Sequence, residues 1–142
     1  MEKIQDWLSP TEFSVDGSEY QKHVQARVPG TGKWIFSSDS YLKWLHSTDF
    51  ETLWIKGVPG SGKSVVAANL IEVLSETEKV PVLYFFFRNI ISMNSKPIFL
   101  VRDFLSQLLP HSAQLESILQ GMMETQPDIQ KLNFHELWNI LL

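Results

Sequence analysis

Gly57-Val58-Pro59-Gly60-Ser61-Gly62-Lys63-Ser64 fills every position of the phosphate-binding loop pattern G-x-x-x-x-G-K-[ST], and the reading of this stretch decides the expected fold. Each fixed position has a mechanical reason. Gly57, Gly60 and Gly62 let the backbone curl until successive N–H groups point at one spot, where they can cradle phosphate oxygens. Lys63 brings a mobile point charge to the β- and γ-phosphates. Ser64 offers a hydroxyl to the Mg2+ that travels with a nucleotide. A helix beginning here aims its positive end at the same anion. The candidate cofactor-binding set is Gly57, Pro59, Gly60, Ser61, Gly62, Lys63, Ser64 and Val65, with Ser64 also the candidate metal (Mg2+) ligand.

The flanks supply the context that the motif demands. Before the loop, Thr52-Leu53-Trp54-Ile55-Lys56 is a short β-prone apolar run. After it, Val65 to Leu74 carries apolar residues at helical spacing, with a polar edge at Asn69 and Glu72. The plain alternative is a glycine-rich turn between strand and helix with no ligand. A second stretch, Val28-Pro29-Gly30-Thr31-Gly32-Lys33-Trp34, imitates the loop and fails. Arg27 stands where the first glycine belongs, and Trp34 replaces the hydroxyl residue. A tight turn accounts for it.

Composition sets the outer limits. The chain has 142 residues, 44% of them hydrophobic, which suits one ordinary domain. Its net charge of −4, with no basic run, disfavours a nucleic-acid partner. With no cysteine there is no disulfide framework and no thiolate site. His23, His46, His111 and His135 are scattered at no ligand spacing. The first residues, Met1 to Asp6, are polar rather than signal-like. The longest apolar run, Val82-Leu83-Tyr84-Phe85-Phe86-Phe87, is strand-sized, not membrane-spanning. The expectation is a cytoplasmic soluble protein with no membrane partner.

Along the chain, residues 1–27 form a lead-in broken at Ser9-Pro10 and Asp16-Gly17, with Ser18 capping a short helix. Ser37, Ser38 or Asp39 caps another through about His46, expected to bury Tyr41, Leu42, Trp44 and Leu45. Val82 to Phe87, apolar at every position, predicts a strand covered on both faces. From Pro97, Ile98, Val101, Leu105, Leu108 and Leu109 recur at helical steps until Pro110. Residues 112–124 repeat the pattern. Phe134, Leu137, Trp138 and Leu141 share a last helical face. The five tryptophans fall on apolar faces and are expected in the core. Glu51, Glu72, Glu76 and Glu78 are expected on solvated faces.

One element of nucleotide hydrolysis is missing. A buried strand ending in a magnesium-holding aspartate is nowhere present: Phe86-Phe87-Arg88-Asn89 has the wrong chemistry, and Arg102 interrupts the stretch before Asp103. No catalytic residue is therefore assigned, and enzymatic activity is left open. The last residues, Ile140-Leu141-Leu142, lie inside an apolar helix and carry the expectation of a cut rather than a natural end.

Taken together, Arg27 to Ile35, the Tyr41-Leu42-Lys43-Trp44-Leu45 helix and Leu53 to Ser64 resemble the opening of NACHT-type NTPases. They are most similar to the nephrocystin-like N-terminal subgroup abundant in fungal NOD-like receptor proteins. The aromatic run Val82 to Phe87 and the Phe104-Leu105-Ser106-Gln107-Leu108-Leu109 helix extend the likeness over residues 7–142. The resemblance implies an α/β fold: an incomplete P-loop NTPase, with a parallel sheet between helical layers (αβα) and a helical N-terminal lead-in. Residues 1–50 would be that lead-in. Residues 51–142 would be the N-terminal part of the NTPase domain, ending before the aspartate-bearing Walker B strand.

The resemblance further implies a signal-transduction module that binds ATP with Mg2+ without efficient hydrolysis. Its family setting implies effector and repeat domains and self-oligomerisation as partners. The residues alone leave GTP open. The segment Arg27 to Trp34 is implied to approach the base. Both predicted strands would have their sheet neighbours beyond Leu142, so the expectation is either marginal stability or a pairing of the strands that differs from the family's. Two alternatives stand beside this reading. A small-molecule P-loop kinase would share the loop but ordinarily recruits more arginines than Arg27, Arg88 and Arg102. An inactive gene fragment is the other.

Overall fold

Three side chains of the first helix, Ile4, Trp7 and Leu8, recur at the spacing of one helical face and are all buried. In the computed structural model, which describes residues 1–142, that helix is α1 (Glu2–Leu8). It is followed by α2 (Glu19–Gln25), α3 (Asp39–Leu45), α4 (Lys63–Thr77), α5 (Pro97–Leu108), α6 (Ala113–Thr125) and α7 (Phe134–Leu141), with short 3-10 turns between some of them.

The helices start where the sequence supplies caps. Ser18 accepts from the Gln21 amide, Ser38 from Tyr41 and Ser112 from Leu115. Asn133 and Glu136 form a reciprocal capping box at α7. Pro97 occupies the first turn of α5, where its missing N–H costs nothing.

The main core joins the two ends of the chain. Ile4, Trp7 and Leu8 of α1 pack with Val101 and Leu105 of α5, Leu115 and Leu119 of α6, and Leu137 of α7. Polar ties reinforce this closure. The Gln5 amide donates to the Ser106 carbonyl at 3.1 Å, and the Trp7 indole N–H donates to the Gln126 carbonyl at 3.0 Å. Just beyond α1, the Thr11 amide and hydroxyl donate to the two carboxylate oxygens of Asp103 at 2.7 and 2.5 Å. Asp103 is fully buried, and burial pushes its carboxyl up to about 6 although both Thr11 bonds pull the other way.

The expected α/β architecture is corrected here. No residue joins a strand, and there is no sheet; the regular structure is entirely helical. Neither Thr52–Lys56 nor Val82–Phe87 makes a backbone-to-backbone hydrogen bond. Strand-like alternation does survive in the second run: Tyr84 pairs with Phe86 on one side, and Phe85 with Phe87 on the other. A ladder also needs a second backbone about 4.8 Å away. Here Ile55 and the 83–87 run both line a cavity of about 590 Å3, together with Ala67 and Leu70 of α4 and Leu100 and Phe104 of α5, and no backbone bond joins them. Sequence propensity favours two strands, but each lacks a pairing partner.

Two tryptophans are also corrected. Trp34 is 63% exposed and Trp54 is 76% exposed, so neither is a core residue. In α3 only Tyr41 is buried. No helix is long and apolar enough to cross a membrane.

Candidate functional site

The loop sits immediately before α4 and takes the shape its glycines permit. Gly60 and Gly62 have φ of +78° and +84°, a region that side-chain-bearing residues rarely adopt. Gly57 is constrained differently. A Cβ there would lie 2.5 Å from the Ser61 hydroxyl oxygen, so only glycine allows Ser61 to fold across the loop.

The curl leaves donors unspent. The amides of Gly60, Gly62, Lys63, Ser64 and Val65 have no backbone acceptor, and Gly62 supplies no side-chain cap to α4. The first internal bond at this end runs from the Val66 amide to the Gly62 carbonyl. Lys63 bends back over the loop, its ammonium donating to the Gly57 carbonyl at 2.8 Å and the Val58 carbonyl at 2.9 Å. Ser64 is exposed beside it. All eight predicted positions, Gly57 to Val65 without Val58, thus lie on one exposed or half-exposed curl. An anion arriving there would find free amides, an ammonium and a helix N-terminus together.

A second wall faces the loop. The imitation segment turns through Gly30 and Gly32, with φ of +82° and +74°. It closes a cavity of about 250 Å3 against Ser61, Gly62, Val65 and Asn69, with Trp34 on its own side. Arg27 fastens this wall to α4: its guanidinium donates to the Asn69 side-chain oxygen at 2.9 Å and pairs with Glu72. Tyr20 stands nearby, its hydroxyl pushed up by burial and by the charge of Glu72. The segment 27–34 is therefore brought beside the glycine loop of residues 57–64 rather than left as a distant turn.

The family model described as Nephrocystin 3, N-terminal matches residues 30–142, which include the loop, its facing wall from Gly30 onward and the helices α3 to α7. The chain belongs to the nephrocystin 3 N-terminal family. It is also similar to the vegetative incompatibility protein HET-E-1 of Podospora anserina, at 31% identity over 71 residues. That match covers 47% of this chain and 5% of HET-E-1. No solved structure matches. Within this nephrocystin family member, α1 and α2 precede the matched region, yet α1 supplies part of the main core.

Sequence reasoning placed Asn69 and Glu72 on a polar edge and missed their partner. Arg27 stood in the imitation loop and in the resemblance, with no contact to α4 expected of it. The available signal was Asn69 itself, a polar residue inside an otherwise apolar helical stretch. In α4 it is buried together with Ala68 alone.

Proposed function

We propose that this chain is the nucleotide-gripping module of a NACHT-type signal-transduction switch, taking ATP together with Mg2+. The observation that carries the reading is the set of unspent amides of Gly60, Gly62, Lys63, Ser64 and Val65 beside the Lys63 ammonium. Such a nest suits the polyphosphate tail of a nucleotide better than it suits a bare turn, since donors turned toward one point repel each other without an anion. Lys63 would leave the Gly57 and Val58 carbonyls for the β- and γ-phosphates. Ser64 would offer its hydroxyl to Mg2+, the remaining positions being filled by phosphate oxygens and water. No group of three or more acidic, His or Cys residues gathers into an alternative metal cage.

The facing wall extends the reading. Trp34 and Gly32 line one cavity with Ser61 and Gly62 of the loop, and this wall would receive the base of a nucleotide whose phosphates the loop held. Membership of the nephrocystin family and the likeness to HET-E-1 support a place in signalling. In a longer protein the module would act between effector and repeat domains and assemble with other copies.

The test is a titration with a fluorescent ATP analogue in Mg2+ buffer. The unaltered chain should bind saturably, and Lys63→Ala should lose binding by at least about tenfold while keeping its helical circular dichroism. Equal binding by both chains would overturn the reading.

A further inference from the structure

Asn69 is 92% buried, 8% of its surface remaining exposed, and only half of its amide is used. The Arg27 guanidinium carries donors and no acceptor, so the oxygen of Asn69 must face it. That contact fixes the flip of the amide. The Nδ2 group, with two hydrogens to donate, is left facing the other way and finds no acceptor within the chain. It looks toward Gly32: a Cβ at that residue would stand 3.8 Å from Nδ2.

The space it faces is the 250 Å3 cavity shared with Ser61 and Gly62 of the loop and with the exposed Trp34. A ligand there would be flat enough to lie against an indole and would carry an acceptor for Nδ2. Nδ2 itself keeps some exposure to the cavity, so an acceptor entering there replaces solvent at a half-used amide and gains the discrimination of one hydrogen bond.

We infer that Asn69 is a base-reading residue, its Nδ2 donating to N3 or N7 of a purine whose phosphates occupy the loop. The inference rests on the nucleotide reading above and adds a specificity determinant to it. Arg27 and Glu72 act as positioning residues, holding the amide in the donating orientation.

The experiment compares ATP, 7-deaza-ATP, 3-deaza-ATP and inorganic tripolyphosphate by calorimetry with Mg2+ on the full chain. One of the two deaza analogues should bind about tenfold more weakly than ATP. Asn69→Asp keeps an oxygen for Arg27 and removes both donors, so the fold is preserved. In that variant the affinity for ATP relative to tripolyphosphate should fall about tenfold, and the analogues should no longer be distinguished from ATP. Tripolyphosphate also absorbs any effect of the added negative charge on phosphate binding. Both deaza analogues matching ATP on the unaltered chain would overturn the inference, as would an unchanged ATP-to-tripolyphosphate ratio in Asn69→Asp. If tripolyphosphate and ATP both fail to bind the unaltered chain, the nucleotide reading itself falls.

Discussion

The side-chain amide of Gln107 takes both backbone groups of Tyr84: it accepts from the Tyr84 N–H at 3.1 Å and donates to the Tyr84 carbonyl at 2.9 Å. A neighbouring strand would offer the same donor and acceptor pair. One glutamine on α5 thus holds the centre of an aromatic run that has no ladder. Around it, Tyr84 packs on Tyr20 at 4.8 Å between ring centres and against Phe13 at 6.1 Å. Burial, with Tyr20 and the Asp103 carboxylate nearby, pushes its hydroxyl up to about 12. Gln107→Leu should therefore destabilise the chain by about 1–3 kcal/mol in urea unfolding, because two half-buried backbone groups lose their partner. Gln107→Glu should not restore the loss, since a carboxylate cannot donate to the Tyr84 carbonyl. Wild-type stability in both variants would show that solvent satisfies these groups equally well.

Gly57 and Ser61 predict a coupled pair. Gly57→Ala places a methyl 2.5 Å from the Ser61 hydroxyl oxygen, so Ser61 must turn its hydroxyl away from the position it takes across the loop. Nucleotide affinity should drop by about tenfold or more, a cost of roughly 1.4 kcal/mol, with little change in melting temperature because the loop is exposed. Removing that oxygen in Gly57→Ala/Ser61→Ala should recover most of the loss, the next contact being an ordinary 3.4 Å to the Ser61 Cβ. A double variant as weak as the single one would place the defect elsewhere.

Asp103 makes a pH prediction whose sign is set by burial. Its folded carboxyl lies at about 6, above the ordinary 3.8, so the folded state holds the proton more tightly than the unfolded one. The stability it contributes is complete below about pH 4 and is lost as pH rises through about 6, by an amount on the order of 2–3 kcal/mol. Asp103→Asn cannot titrate. The melting temperature of the unaltered chain should therefore gain on that of Asp103→Asn as pH falls from 7 to 4. A difference that stays constant over that interval would remove this account of the Thr11–Asp103 contact.

Lys63 and Ser64 separate two contributions at the loop. Ser64→Ala should leave tripolyphosphate binding without metal nearly unchanged and weaken the gain on adding Mg2+ several-fold, whereas Lys63→Ala should weaken both. Calorimetry with and without EDTA distinguishes them. Equal losses in both conditions for Ser64→Ala would deny the hydroxyl its part in holding the metal.

Much of the helical framework was legible in the residues. The Ser18 and Ser38 caps, the Pro97 start and the apolar spacing of Val101, Leu105 and Leu109 act within a turn or two of chain, so they appear in the sequence directly. The loop was legible for the same reason, since Gly60 and Gly62 are required by local backbone geometry. The sheet was misjudged because a strand is a relation between segments. Val82 to Phe87 has the composition of a buried strand, but pairing depends on what comes alongside it.

The sequence by itself determined the helices, their caps and the curl of residues 57–64, because each is fixed by bonds between near neighbours. Only the tertiary structure decided that α1 closes on α5 to α7, that Gln107 substitutes for a strand at Tyr84, and that Arg27 turns Asn69 toward the loop cavity. Those contacts join residues 42 positions apart for Arg27 and Asn69, and 101 apart for Gln5 and Ser106. Separations of that size leave no periodic trace in a chain, since they depend on how packed elements come to rest against one another.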